Sequence, residues 1–199
     1  GEVLEETDMA FLFAQKYHSA MKNVGPVRKE MGERTIFNIL GPLTNPANAS
    51  RQLLGVYDKE LVEKLAEVLA NLGVTRGMSV CGSDGLDEIT VTGPTYCCEI
   101  KDGELTSYEI TPEQFGLSTY PLAELVGGTP EENAQITKDI LSGTLKGAKR
   151  DVVLMNAGIG IYLGSENLTM EEGIKKAEEL INSGKAYEKM EEFVKATQQ

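Results

Sequence analysis

The sequence predicts an α/β fold in which a parallel or mixed sheet is flanked by helices. Its middle carries a short apolar run, QLLGVY, an amphipathic stretch, DKELVEKLAEVLANLG, and a second apolar run, GMSVCG. Strand, helix and strand in this order are typical of a βαβ unit with two parallel strands. The segment TYCCEIKDGELTSYEI then predicts a hairpin that turns at Lys101-Asp102-Gly103. The C-terminal third is mostly helical in its spacing.

The remaining elements follow in chain order. LEETDMAFLFAQKYH begins as a helix, and AMKNVGPVRKEMG has helical apolar spacing that ends at Gly32. TIFNILGPLTNPANAS is a short apolar stretch that runs into a loop punctuated by Gly41 and Pro42. Asp58 is the expected N-cap of the amphipathic helix, and Gly73 its stop. Four C-terminal helices are predicted in TPEENAQITKDILSG, KRDVVLMNAGIGIYLG, TMEEGIKKAEELINSG and KAYEKMEEFVKATQQ.

Composition and charge narrow the classes of function. The chain has 199 residues and a formal net charge of −12, and no repeat or long linker divides it, so we expect one domain over residues 1–199. The negative charge argues against nucleic acid as a partner, because binding to duplex DNA needs a basic face. No apolar run approaches the ~20 residues of a membrane helix, and the acidic start GEVLEETD is unlike a signal or transit peptide.

The cysteines and the single histidine exclude some metal and disulfide chemistry. Cys81, Cys97 and Cys98 lack zinc-ligand spacing, and their odd number fits no closed disulfide framework. Cys97 and Cys98 alternate sides of a strand, so we expect them to pack rather than to share a site. A histidine-rich metal site is excluded because His18 is the only histidine. Reduced cysteines predict a cytoplasmic location.

An acidic turn, GSDGLDEIT, follows the second predicted strand and carries Asp84, Asp87 and Glu88. Ile89 to Val91 are expected to begin another strand. Ligands of α/β sheets bind outside the carboxyl ends of parallel strands, and an adjacent carboxylate pair suits Mg²⁺ with substrate phosphates. Turns rich in glycine and acid are nevertheless common on protein surfaces. These residues alone favour a solvated turn over a metal site.

Two further segments could contribute to a site. The stretch HSAMKNVGPVRKEMG carries several cations, most of which we expect on an exposed helix face, although Arg28 could bind a carboxylate through its two parallel N–H groups. The single His18 is more often a packed or exposed histidine than a catalyst. NILGPLTNP, which contains Pro42, is either a rigid connecting loop or one wall of a pocket.

The long run FLFAQKYHSAMKNVGPVRKEMGERTIFNILGPLTNPA, together with GSDGLDEIT, resembles the anthranilate phosphoribosyltransferases of tryptophan biosynthesis. The similarity continues through ITPEQFGL, GGTPEENA and RDVVLMNA, so it covers essentially the whole chain. It implies the nucleoside phosphorylase/phosphoribosyltransferase catalytic fold. It also implies that the amine of anthranilate displaces pyrophosphate from phosphoribosyl pyrophosphate through an oxocarbenium-like state, with Mg²⁺ stabilising the leaving group.

The resemblance assigns roles to individual residues. Asp87 and Glu88 match the acidic pair that binds the metal. Arg28 matches the arginine that engages the carboxylate of anthranilate, while His18 and Pro42 match positions that line the anthranilate channel. No catalytic residue is expected within the chain. Ser19 stands where the family usually has proline, and Cys81 where it commonly has histidine.

Three family features are not found in these 199 residues: an N-terminal helical domain, a Gly-Thr-Gly-Gly-Asp loop and a Lys-His-Gly-Asn segment. The glycine-rich loop supplies backbone N–H groups to the pyrophosphate. We therefore expect a partial, C-terminal α/β catalytic domain that is inactive alone. Its uncovered sheet edge and apolar face predict self-association into a homo-oligomer.

Two alternatives remain open. A pyrimidine nucleoside phosphorylase would share the fold, but it uses phosphate as the nucleophile and needs no metal for a pyrophosphate leaving group. A non-catalytic module would bind ligands without turnover. Mg²⁺-dependent binding of pyrophosphate separates the transferase from both.

Overall fold

The computed structural model describes residues 1–12, 30, 32 and 37–198, except for the side chains of 37 and 38. The chain divides into two compact units. One comprises Gly1–Ala49 with Glu191–Gln199, and the other comprises Ser50–Met190.

The first unit contains two short described helices. Helix α1, Glu2–Thr7, ends at Asp8, which has a left-handed backbone (φ 56°). Helix α2, Phe37–Leu43, contains Pro42. The prediction that a loop begins at Gly41 is therefore wrong by about one turn. Proline has a φ close to the helical value, but it lacks the N–H donor and crowds the carbonyl four residues earlier, and the helix ends one residue later at Leu43.

The second unit is built on a four-stranded mixed sheet. Its elements are β1 (Arg51–Gly55), α3 (Lys59–Asn71), β2 (Arg76–Gly82), β3 (Thr95–Lys101) and β4 (Glu104–Ile110). The strand order is β1-β2-β3-β4, with β1 and β2 parallel and the other pairs antiparallel. The predicted βαβ unit and hairpin are confirmed. Asp58 caps α3 as expected, because its side chain accepts a hydrogen bond from the Glu60 N–H at 2.9 Å.

Helices follow the sheet in the chain. Two 3₁₀ turns, Pro112–Phe115 and Leu122–Leu125, precede α4 (Pro130–Leu141), α5 (Ala148–Gly164), α6 (Met170–Asn182) and α7 (Lys185–Ala196). The four predicted C-terminal helices are thus confirmed, and α7 continues from the second unit into the first. None of the described helices is both long and apolar enough to cross a membrane.

The core of the second unit lies between one face of the sheet and α5 with α6. Its fully buried members come from β2, from the chain after β2 and from α5, and they are Met78, Val80, Ile89, Val91, Leu154, Met155 and Ile159. Helices α5 and α6 touch through glycines. A Cβ on Gly158 would lie 2.4 Å from the Ile174 Cα, and one on Gly173 would lie 2.3 Å from the Gly158 carbonyl oxygen. Neither position can hold a larger residue without moving a helix.

The hairpin and the cysteines match their predictions. Asp102 and Gly103 both have positive φ (52° and 84°), as a two-residue type I′ turn requires. Cys81, Cys97 and Cys98 are buried, reduced thiols. Burial is the largest cause that raises the pKa of the Cys97 thiol to about 12, which makes it an unreactive packing residue.

Candidate active site

The acidic turn lies at the carboxyl end of β2, beside the carboxyl end of β1. These strands are parallel neighbours, so Gly55 and Gly82 end at the same edge of the sheet. The backbone of the turn lies directly against β1, since a Cβ on Gly55 would fall 1.6 Å from the carbonyl oxygen of Asp87. A glycine at the end of β1 is therefore what allows the turn to occupy this place.

Asp84 organises the turn from within. One carboxylate oxygen accepts a hydrogen bond from the Leu86 N–H at 3.0 Å, and the other accepts from the hydroxyls of Thr90 and Thr92, each at 2.6 Å. Burial opposes the charge of Asp84, but these hydrogen bonds outweigh it and hold the pKa of Asp84 below its usual value. Asp84 is thus an ionised structural group, whose oxygens are already used by the protein.

The prediction of a strand at Ile89 to Val91 is wrong. These residues are fully buried but irregular, because side chains satisfy their backbone in place of a neighbouring strand. The Asn156 amide accepts from the Ile89 N–H at 3.0 Å and donates to its carbonyl at 2.8 Å. The Thr90 N–H donates to the Thr95 hydroxyl at 3.0 Å. Asn156 thereby fixes the chain directly after Glu88 from helix α5.

Asn156 is a site residue that our interpretation of the sequence missed. It lies within RDVVLMNA, which contributed to the resemblance but received no role. An amide in an otherwise apolar helical stretch was the available signal, because buried polar side chains need partners.

Asp87 and Glu88 differ from Asp84 in being exposed. Neither carboxylate makes a hydrogen bond or ion pair anywhere in the described part of the chain. Desolvation raises the pKa of Glu88, and the charges of Asp87 and Asp84 raise it further. The turn therefore presents two uncompensated carboxylate side chains to solvent on a backbone that Gly55, Asp84 and Asn156 hold in place.

These carboxylates fit a magnesium ion of the kind that shares its ligands with a substrate. Across residues 1–12, 30, 32 and 37–198, no three His, Cys, Asp or Glu side chains are grouped to hold a metal by themselves. Mg²⁺ commonly takes one or two carboxylates and fills its other positions with water and substrate phosphates. Desolvation is the largest cause that raises the pKa of Glu88, and a cation would also relieve the smaller contribution from the charges of Asp87 and Asp84.

The other predicted site residues lie elsewhere in the chain. Pro42 is exposed on α2 of the first unit. His18 and Arg28 lie outside the described residues. A cavity of about 490 Å³ opens between α3 and the β3–β4 hairpin, where Lys59, Tyr96 and Tyr108 are among the lining residues. The acidic turn does not line this cavity.

An ordered acidic turn at the carboxyl edge of an α/β sheet lies where such folds bind ligands, and its carboxylates are of the kind that Mg²⁺ shares with substrate phosphates. Comparison with known families is more specific. Residues 1–187 match the glycosyl transferase family, a/b domain, and the chain belongs to this family. The resemblance inferred from the motifs is thereby confirmed.

Curated relatives and solved structures agree with this assignment. The chain is 53% identical over 195 residues to the anthranilate phosphoribosyltransferase of Endomicrobium trichonymphae and 52% identical over 196 residues to that of Methanobrevibacter smithii. In each case the match covers 98% of this chain and 58% of the relative. The chain therefore spans little more than half the length of these relatives.

The structural matches have the same extent. The crystal structure of anthranilate phosphoribosyltransferase from Thermus thermophilus matches with a TM-score of 0.92 and 42% identity, over 100% of this chain and 58% of that one. The enzyme from Saccharomyces cerevisiae, in complex with PRPP and Mg, matches with a TM-score of 0.81 and 35% identity. That match covers 90% of this chain and 52% of the yeast chain. These relatives support the transferase interpretation over the phosphorylase alternative.

Proposed function

We propose that this chain is the C-terminal α/β portion of an anthranilate phosphoribosyltransferase, and that Asp87 and Glu88 hold the magnesium ion of its phosphoribosyl pyrophosphate site. The observation that carries the proposal is the pair of exposed, uncompensated carboxylates on a fixed turn at the carboxyl edge of β2. The names of the relatives, and the yeast structure in complex with PRPP and Mg, support the choice of substrate and metal.

The residues of the chain then divide the work. Asp87 and Glu88 would bind the magnesium ion and orient it. Asp84 keeps the turn folded, and Asn156 on α5 holds the backbone directly after Glu88. When bound, Mg²⁺ supplies charge neutralisation for the departing pyrophosphate. Accurate placement matters because a misplacement of ~1 Å can cost ~100-fold in rate.

The anthranilate end of the site is assigned by resemblance. Arg28 is proposed to bind the carboxylate of anthranilate, with His18 and Pro42 lining its channel. Loss of such a charge-assisted contact should cost about 1.5–3 kcal/mol. In a version that carries the rest of the enzyme, Arg28→Ala should raise the KM for anthranilate. A defect confined to the sugar donor would exclude this role.

We further propose that residues 1–199 form one partial catalytic domain and that the protein is a cytoplasmic homo-oligomer. We also propose that the isolated chain does not catalyse the phosphoribosyl transfer. Three reduced cysteines support a reducing compartment. The glycine-rich loop of the family is not among these residues, so nothing in the described ranges provides its phosphate cradle. A phosphoribosyl transfer assay on the isolated chain tests this, and turnover near that of an intact relative would refute it.

The metal role is tested by isothermal titration of the isolated chain with pyrophosphate at increasing Mg²⁺. Asp87→Asn with Glu88→Gln should abolish the Mg²⁺-dependent part of binding. The matched control is Glu5→Gln with Glu6→Gln, which changes the charge equally at another exposed acidic pair. Equal Mg²⁺ dependence in both double variants would show that the acidic turn is only a solvated turn.

A further inference from the structure

A second charged surface lies at the other end of β2. Arg51, Arg76 and Lys101 are register partners on three adjacent strands, so their side chains form a row on one face of the sheet. Strand β2 runs from Arg76 in this row to Gly82 at the acidic turn, a distance of about 20 Å along the strand. Like charges directly opposite each other destabilise a sheet. Glu104 on β4 is the register partner of Lys101 and supplies one opposite charge at the end of the row, whereas the strand partners of Arg51 and Arg76 in register are cations.

The protein compensates only part of this charge. The guanidinium of Arg51 has several partners. Its Nη1 donates to the carbonyls of Leu163 and Gly164 at the end of α5, and its Nη2 lies 3.3 Å from a carboxylate oxygen of Glu166. Lys101 is exposed, and its side chain has no hydrogen bond or ion pair with any residue of the described ranges.

Arg76 is the buried member of the row. It is 8% exposed, and no described carboxylate lies within 4.0 Å of its nitrogens. Its guanidinium lies over the ring of Tyr162, 4.6 Å from the centroid, and its Nε is buried without a hydrogen-bond partner among the described residues. The nearby Glu99 carboxylate is occupied by the hydroxyls of Tyr108 and Tyr162, at 2.8 and 2.5 Å. A buried N–H donor without a partner is costly, and an anion that accepts a hydrogen bond from it would remove that cost.

The three cations line one cavity. It measures about 370 Å³, and its walls are Arg51, Thr75, Arg76, Lys101, Asp102 and Glu166. Three cationic side chains thus face two carboxylates, one of which is already paired with Arg51. The whole chain has a formal net charge of −12, so this excess of positive charge is confined to the surroundings of the cavity.

We infer that this cavity, which we call the basic pocket, binds a small multivalent oxyanion of the phosphate type without a metal. Arg76 and Lys101 supply the unused charge. Arg51 lines one side of the pocket, where the carbonyls at the end of α5 and the carboxylate of Glu166 fix its guanidinium. Asp102 stands at the rim and weakens binding by repulsion. The inference is independent of the transferase function, because the acidic turn at the opposite end of β2 needs a metal to hold such an anion.

The probe is inorganic pyrophosphate, titrated calorimetrically in EDTA, with orthophosphate and adenosine monophosphate as further arms. Stronger binding of pyrophosphate than of orthophosphate indicates a free polyanion, whereas stronger binding of the monophosphate indicates a phosphate carried by a nucleotide. Either result supports binding at the basic pocket if the amide chemical shifts of Thr75 and Lys101 change on titration and those of residues 83–88 do not. No binding at millimolar concentration overturns the inference.

Two variants of exposed residues test whether the anion binds in the basic pocket without changing the core. Lys101→Ala should weaken pyrophosphate binding about tenfold, as expected for the loss of one charge-assisted contact. Asp102→Asn should tighten it several-fold, because asparagine keeps the positive φ of the turn and removes the repulsion. The matched control is Lys175→Ala, at an exposed lysine on α6. Equal affinities in the Lys101 and Lys175 variants, or an unchanged affinity in Asp102→Asn, would overturn the inference.

Discussion

Replacing Gly55 with alanine should dislodge the acidic turn while leaving its carboxylates in the sequence. The added methyl group would lie 1.6 Å from the carbonyl oxygen of Asp87 and 2.4 Å from its carbonyl carbon, where ordinary contacts are 3.4–4 Å. The colliding atoms are backbone on both sides, so no side-chain rotation relieves the clash. The turn must move by about 2 Å, or β1 must yield.

The expected cost has two parts. Overpacking of this kind lowers the free energy of unfolding by about 1–3 kcal/mol. A shift of the turn by more than 1 Å should also weaken Mg²⁺-dependent pyrophosphate binding, because the two carboxylates would no longer be held together at the carboxyl edge of the sheet. Urea unfolding measures the first effect, and isothermal titration at fixed Mg²⁺ measures the second.

Gly160→Ala is the matched control. Gly160 lies on the exposed side of α5, and a Cβ there meets nothing within 4 Å. The same substitution should therefore stabilise the protein by up to about 1 kcal/mol through helix propensity, without changing pyrophosphate binding. If Gly55→Ala unfolds at the same urea concentration as the wild type and binds Mg²⁺ with pyrophosphate normally, the close contact between β1 and the turn does not position the site.

Three further predictions concern the residues around the turn. Asn156→Ala should lower the free energy of unfolding by about 1–3 kcal/mol, because the buried Ile89 N–H loses its partner; urea unfolding with Asn167→Ala as the control measures this. The lowered pKa of Asp84 stabilises the fold above pH ~4, the usual range of the carboxyl in the unfolded chain, and this contribution is lost as pH falls through the lower folded pKa. Acid unfolding of Asp84→Asn should accordingly lose that part of the pH dependence, and a profile identical to the wild type would contradict the role of Asp84. The contribution of Glu88 to the pH dependence of stability has the opposite sign, because its raised pKa means that the folded protein loses stability as pH rises through the carboxyl range. Glu88→Gln should therefore be more stable than the wild type at pH 7 without metal. The same variant should bind Mg²⁺ more weakly. A destabilised Glu88→Gln variant would show that the repulsion among these carboxylates is not significant.

Local patterns were sufficient to predict the βαβ unit and the hairpin. The helix α3 carries its own cap at Asp58, and the β3–β4 turn carries Asp102 and Gly103, so neighbours in sequence determine both. The position of the acidic turn followed from the same unit, because a turn after a buried parallel strand must lie at its carboxyl end.

Distant contacts account for what the sequence could not reveal. Ile89 to Val91 have the β-branched, apolar character of a strand, yet Asn156, 67 residues away, takes the hydrogen bonds of Ile89, and the Thr95 hydroxyl takes that of the Thr90 N–H. The different roles of the three acids were also hidden: Asp84 differs from Asp87 and Glu88 in accepting hydrogen bonds from the Leu86 N–H and from the hydroxyls of Thr90 and Thr92. The roles of His18 and Arg28 stay predictions, because both residues lie outside the described ranges.

The glycine contact between α5 and α6 has a consequence for the order of folding. The two helices are joined by a short connection, residues 165–169, so their packing closes only a small loop. The contact of Asn156 with Ile89 instead joins segments far apart in the chain, and such contacts form slowly. We expect pulse-labelled hydrogen exchange to protect the amides of α5 and α6 before those of β1 and β2. Asn156 on α5 fixes the acidic turn, so the magnesium site would form only when the sheet packs against the preformed pair α5 and α6. The rate at which magnesium binding appears during refolding would then measure this packing step.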